Sequence, residues 1–163
     1  MNFFEAKANT YVPSGESLEK ALESTTHLAI VAHQDDTEIL AYSGIAECFG
    51  QKDKSFSSVI VSSGAGSPRT GIYAEYTDEE MQEIRRDEQN KAALIGGFGA
   101  QVQLAYSSSS IKDPSNSNTV NDLKQIIEQS KPDVIFLHNP ADKHDTHVAT
   151  MVRAIAAIRS LAP

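Results

Sequence analysis

The sequence predicts an α/β fold of the Rossmann-like, doubly wound kind, a mostly parallel sheet with helices on both faces, in a single domain over residues 1–163. Three observations predict it. Short apolar runs alternate with helical patterns along the chain, and such alternation needs long crossovers between neighbouring parallel strands. The segments richest in chemically capable side chains each follow an apolar run, where ligands of open α/β sheets bind. With 163 residues and 40% hydrophobic content, the chain can bury one core.

Residues 1–26 scatter Glu5, Lys7, Glu16, Glu19, Lys20 and Glu23 among apolar positions, which suits neither a signal peptide nor a membrane span, and a cytoplasmic location is expected. A strand is expected over 27–32 and a helix over 37–49, where Ile39, Leu40, Ile45 and Ala46 recur at helical spacing. A second strand, 57–62, runs into the turn-forming Ser63-Gly64-Ala65-Gly66-Ser67-Pro68. Thr77 with Glu80 three residues on is a capping-box signature, opening a helix that reaches Ile95 before Gly96-Gly97 stops it. A third strand is expected over 101–106, a helix over 120–130, and, after the Lys131-Pro132-Asp133 break, a fourth strand over 134–137. The last helix, 148–161, runs out at Ala162 and Pro163 with no strand after it, as in the N-terminal portion of a longer protein.

The formal charge of −8 opposes binding to nucleic acid and to anionic membranes, both of which recruit cationic faces. A lone cysteine, Cys48, excludes an intrachain disulfide and a cysteine-rich metal site; it reads as a small buried apolar side chain.

Two segments carry the chemistry. After the first strand comes His33-Gln34-Asp35-Asp36-Thr37-Glu38. In a loop leaving a strand end, residues three apart can turn back to one point, so His33 and Asp36 can share a cation. After the fourth strand, 138–147 holds three histidines and two aspartates, in a chain with five histidines in all. Read separately, Asp35-Asp36 caps a helix and the histidines are polar loop residues. Read together on one sheet rim, they favour a site. Two imidazoles, one carboxylate and an open position describe a catalytic zinc centre and point to hydrolysis. Asp35, beside the ligands, is placed to act as general base. His144 is placed to stabilise an oxyanion or protonate a leaving amine; its alternative is an exposed histidine at a helix start.

Ala32-His33-Gln34-Asp35-Asp36 resembles the Ala-His-Pro-Asp-Asp signature of the PIG-L/LmbE-like de-N-acetylases. Arg85-Arg86-Asp87-Glu88 through Gly96 resembles that family's Arg-x-x-Glu helix, and Lys131-Pro132-Asp133-Val134 through His147 is similar to its closing metal motif. The matches fall in the family's order over 28–158. The resemblance implies a Rossmann-like hydrolase that uses zinc, one ion per chain, to remove acetyl groups from N-acetylglucosamine-type sugars or related amides; iron or cobalt would accept the same ligands. It assigns His33, Asp36 and His147 as ligands, Asp35 as base, His144 as electrophilic or acid partner, and Arg69 as a substrate contact, with a solvated loop arginine as alternative. Arg85, Arg86 and Glu88 read as a structural charge cluster, and Tyr73 and Tyr76 as loop aromatics that either stack on a sugar or pack the loop down. Gln34 departs from the family's proline, which loses a fixed backbone angle in the ligand loop. His144-Asp145-Thr146-His147 departs from His-Pro-Asp-His, so support for the ligand must come from Asp142, Asp145 or elsewhere. Family members are usually longer. Rivals are a degenerate metal- or sugar-binding member of the same fold, a magnesium phosphohydrolase, which fits imidazole ligands poorly, and a receiver-like signalling domain, which leaves the histidines unexplained. A small N-acetylated molecule is the expected partner; a homo-oligomer is left open.

Overall fold

A computed structural model describes residues 1–161. Strands β1 (Asn9–Tyr11), β2 (His27–Val31), β3 (Phe56–Ser62), β4 (Gln101–Tyr106) and β5 (Val134–Leu137) form one sheet in the order β1-β4-β3-β2-β5. β4, β3, β2 and β5 run parallel, and β1 pairs antiparallel with β4. The expected α/β fold with a mostly parallel sheet is therefore present. Helices are α1 (Leu18–Glu23), α2 (Asp36–Leu40), α3 (Tyr42–Cys48), α4 (Asp78–Gly96), α5 (Ser108–Lys112), α6 (Asn118–Ser130) and α7 (Asp145–Leu161).

The two-residue period of the strands divides the core in two. Leu28, Ile30, Val59, Val61, Val102 and Leu104 join side chains of α1, α5, α6 and α7 on one face. Ala29, Val31, Phe56 and Ile60 join Ala41, Cys48 and Ala93 on the other. Each large aliphatic side chain so buried contributes about 1.5–3 kcal/mol. Cys48 is buried and free, as its reading as a small apolar residue expects.

From β2 the chain steps outward to β3 and β4 through α2, α3 and α4, then crosses the opposite face through α5 and α6 to β5, on the other side of β2. The carboxyl ends of β2 and β5 thus flank a topological switch point, the crevice where open α/β sheets bind ligands. Ile30 pairs with Leu137, so residues 33–36 and 138–147 leave the sheet side by side.

The Thr77–Glu80 capping box forms, with Glu80 N donating to Thr77 Oγ1 at 3.2 Å and Thr77 N to Glu80 Oε2 at 2.8 Å. Gly97, in left-handed conformation at φ +63°, ends α4. Several elements depart from expectation. The 37–49 helix breaks at Ala41 (φ −110°, ψ +16°) into α2 and α3. β1 is three residues whose partner lies some ninety positions on. α1 forms inside 1–26 under the Ser17 cap, burying Ala21 and Leu22. α5 forms in the serine run, with Ser107 capping Ser110 N at 3.1 Å and Ile111 buried. α7 starts three residues before Val148, which places His147 in its first turn. Ala162 and Pro163, where the last helix is expected to run out, lie outside the described residues. Among the described residues, no helix is long and apolar enough to cross a membrane.

Candidate metal centre

His33 Nδ1, Asp36 Oδ2 and His147 Nε2 converge at the switch point. His33 Nδ1 lies 3.1 Å from His147 Nε2 and 3.4 Å from Asp36 Oδ2, and His147 Nε2 lies 3.5 Å from Asp36 Oδ2. A tetrahedral cation with bonds of about 2.0–2.2 Å separates its ligand atoms by about 3.3–3.6 Å. The donor set and its spacing therefore fit a zinc-like ion.

Two of the three donors are aimed by local devices. The Asp36 carboxylate folds back to accept the His33 amide, with Oδ2 at 2.7 Å. Burial opposes ionisation of Asp36, but the imidazoles of His138 and His33 and the His33 amide outweigh it and hold the carboxyl well below the usual carboxylate range. The donor therefore stays anionic through neutral pH. His147 Nδ1 donates to Asp142 Oδ2 at 3.0 Å, which leaves the Nε2 lone pair facing inward, the usual carboxylate brace behind a metal-binding histidine. Asp142 Oδ1 also accepts His144 N at 2.8 Å, so one carboxylate organises both ends of the His144–His147 turn. Asp142 thus occupies the bracing position that the departure from His-Pro-Asp-His leaves open.

His138 and His144 sandwich His147, with ring centroids 4.0 Å and 4.4 Å away and planes within 15°. Both lie close enough to be counted with possible ligands, but they differ in bonding. His138 Nε2 accepts the Ala32 amide at 2.8 Å and lies 3.4 Å from Asp36 Oδ2, so it ties the end of β5 to the end of β2 beside the Asp36 carboxylate. His144 is half exposed and edge-on to His33 at 5.0 Å. Burial, then the neighbouring His147 and His33, push its pKa down, so it is neutral at pH 7, with an N–H to offer.

Asp35 sits at φ +79°, in left-handed conformation. It lines a cleft of about 610 Å³ together with the three converging residues, His144, the 62–68 loop and residues 107–109. Arg85 Nη2 donates to Asp35 Oδ2 at 2.9 Å and to the Gln34 carbonyl at 2.7 Å, while its Nη1 holds Glu88 at 2.7 Å. The charge cluster expected on α4 exists, but its first arginine also reaches the ligand loop, a contact whose only sequence signal is the Arg-x-x-Glu spacing. Arg69 does not line this cleft; it pairs with Asp78 and with the Ala65 carbonyl. Tyr73 and Tyr76 pack edge to face on each other at 5.3 Å.

An α/β domain with a histidine–carboxylate centre at its switch point defines a broad class of metal-site proteins. Within it, this chain belongs to the PIG-L family, whose sequence model, described as GlcNAc-PI de-N-acetylase, matches residues 28–158. No curated protein matches the chain. Among solved structures it is similar to N,N'-diacetylchitobiose deacetylase from Pyrococcus horikoshii (TM-score 0.70, 21% identity, covering 90% of this chain and 54% of that one). It is also similar to GalB, the 4-carboxy-2-hydroxymuconate hydratase from Pseudomonas putida (TM-score 0.68, 22% identity, 82% and 55%). A conserved protein from Thermus thermophilus, TT1542, is a third (TM-score 0.65, 21% identity, 83% and 56%). The chain spans just over half the length of each, and these likenesses concern the fold.

Proposed function

We propose that this chain is the metal-binding part of a cytoplasmic de-N-acetylase that removes an acetyl group from an N-acetylglucosamine-type conjugate, with one zinc ion held by His33, Asp36 and His147. The observation that carries the reading is the triangle of donor atoms, 3.1 to 3.5 Å on a side, in a chain of the PIG-L family. Bound there, zinc supplies the Lewis-acid activation of water that cleavage of an unreactive amide needs.

The protein's own residues do the rest. Asp35, on the cleft wall, accepts the proton of the attacking water, and Arg85 keeps its carboxylate turned toward the cleft. The neutral His144 imidazole offers an N–H to the carbonyl oxygen as that oxygen gains charge. The C–N bond breaks, the acyl carbon keeps the water oxygen, and the amine leaves with the proton relayed from Asp35. The serine-rich walls at 62–68 and 107–109 suit a neutral, hydroxyl-rich ligand. Arg69, paired with Asp78, reaches substrate only after exchanging that partner.

Fold alone does not choose the reaction, since a hydratase shares it; family membership favours amide hydrolysis. Elemental analysis with acetate release from N-acetylglucosamine conjugates tests the reading. About one zinc per chain and acetate release, lost together on chelation, is expected. A protein that binds zinc without releasing acetate supports the degenerate binding member instead, and one that binds no zinc overturns the metal centre.

A further inference from the structure

Gln34, Gln89, Gln101 and Gln103 are sealed from solvent, and their amides meet on the sheet face that α4 covers. Gln34 Nε2 donates to Gln103 Oε1 at 3.2 Å, and Gln103 Nε2 to Asn90 Oδ1 at 3.1 Å. Gln89 Nε2 donates to Glu38 Oε1 at 2.9 Å and to Gln101 Oε1 at 3.3 Å. With two acceptors in front of its nitrogen, Gln89 must present Oε1 on the other side, and there the Asp35 amide donates to it at 3.0 Å.

That last bond completes a clamp. The peptide unit joining residues 34 and 35 has its carbonyl held by Arg85 and its N–H held by Gln89, two residues one turn apart on one face of α4. The clamped unit leads into the strained residue of the loop. A non-glycine residue at φ +79° persists only where its surroundings fix it. One residue later, the Asp36 carboxylate must face His33 and His147, so a rotation of the 34–35 peptide swings it away.

We propose that Gln89 is a positioning residue of the metal centre: by holding the Asp35 amide it locks the left-handed turn that aims Asp36 at the shared point. The proposal rests on the metal centre described above. Its network is built from bonds inside the protein.

Gln89→Met keeps the length of the side chain and removes the acceptor. Tyr106→Phe is the control: it deletes the buried bond to Asp122 at 2.7 Å on the opposite face of the sheet, a structural loss unconnected to the loop. Zinc affinity is measured by chelator competition on both variants, and Asp35 amide exchange by NMR on the metal-free proteins. Gln89→Met is expected to weaken zinc binding about 10–100-fold, as loss of a ligand-orienting partner does, and to speed Asp35 exchange; Tyr106→Phe is expected to lower the melting temperature and change neither. Unchanged zinc affinity in Gln89→Met, or equal weakening in both variants, overturns the proposal. Should Gln89→Met not fold, the wild type decides: an Asp35 amide that exchanges as freely as an exposed loop amide overturns the clamp. A wild type that binds no zinc while Asp35 stays protected removes the metal centre itself, and the positioning role with it; zinc bound equally by wild type and Gln89→Met removes the positioning role alone.

Discussion

The two loops that meet at the candidate centre are held in opposite ways. The loop after β5 organises itself: Asn139 Oδ1 accepts Ala141 N at 2.8 Å, and Asp142 accepts both His144 N and His147 Nδ1. The loop after β2 is held from elsewhere: Arg85 and Gln89 grip its backbone from α4, Gln103 anchors Gln34 from β4, and His138, the first residue after β5, caps the Ala32 amide. One loop is a local turn with its own carboxylate brace, and the other a strained turn inside a long-range network. Damage to the first should therefore stay local, whereas the second should respond to changes fifty residues away in sequence.

The largest effect breaks both loops at once. His33→Ala and His147→Ala each remove one donor of three and are expected to abolish zinc retention measured by elemental analysis; full zinc content in either variant would mean that the loops do not share an ion. Asp35→Asn comes next. It keeps the length of the side chain and an acceptor for Arg85 but cannot take a proton, so kcat should fall about 10²–10⁴-fold with zinc content unchanged. Activity at the wild-type level would remove the assignment of Asp35 as base. Asp142→Asn then probes the local brace: with its carboxylate gone, zinc affinity should drop about 10–100-fold, while Asp35 amide exchange, which reports the other loop, stays as in wild type. A change in that exchange would show the loops to be coupled and undo the contrast.

The same contrast explains what the sequence could reveal. β2, β3 and β5 announce themselves by apolar runs, and α4 by its capping box and Gly97, because those signals are local. β1 carries no such signal; three residues become a strand only because β4 offers an edge. α5 is likewise hidden in a serine run and is fixed by the burial of Ile111. At the site, His33 and Asp36 were legible as candidates through their spacing and His147 through the family resemblance, and Asp142 was legible as one of two named candidates for support. His138 was visible as a histidine but not as the partner of the Ala32 amide, since that pairing follows from the β2–β5 register. Gln89 was invisible: an amide in a charged helix reads as a solvated residue until the fold seals it against Gln101, Glu38 and the Asp35 backbone. Arg69 shows the converse, a loop arginine whose position suggested substrate and whose partner is Asp78.

The smallest predicted effect separates the loops most cleanly, because it comes from a residue in neither. Gly64 lies at φ +76°, and a Cβ built there falls 2.6 Å from Gln34 Oε1 and 3.3 Å from Arg85 Cβ. Gln34 Oε1 has no hydrogen-bond partner, so the amide can yield, but its Nε2 is tied to Gln103 and its carbonyl to Arg85. Gly64→Ala should therefore cost about 1–2 kcal/mol of stability from left-handed strain, and should loosen the loop after β2 enough to weaken zinc binding modestly. Gly66→Ala, two residues on and facing open space, should do neither. The measurement is zinc affinity by chelator competition beside the melting temperature of each variant. If Gly64→Ala lowers stability and leaves zinc affinity untouched, the strain stops at Gly64, and the loop after β2 is as self-contained as the loop after β5.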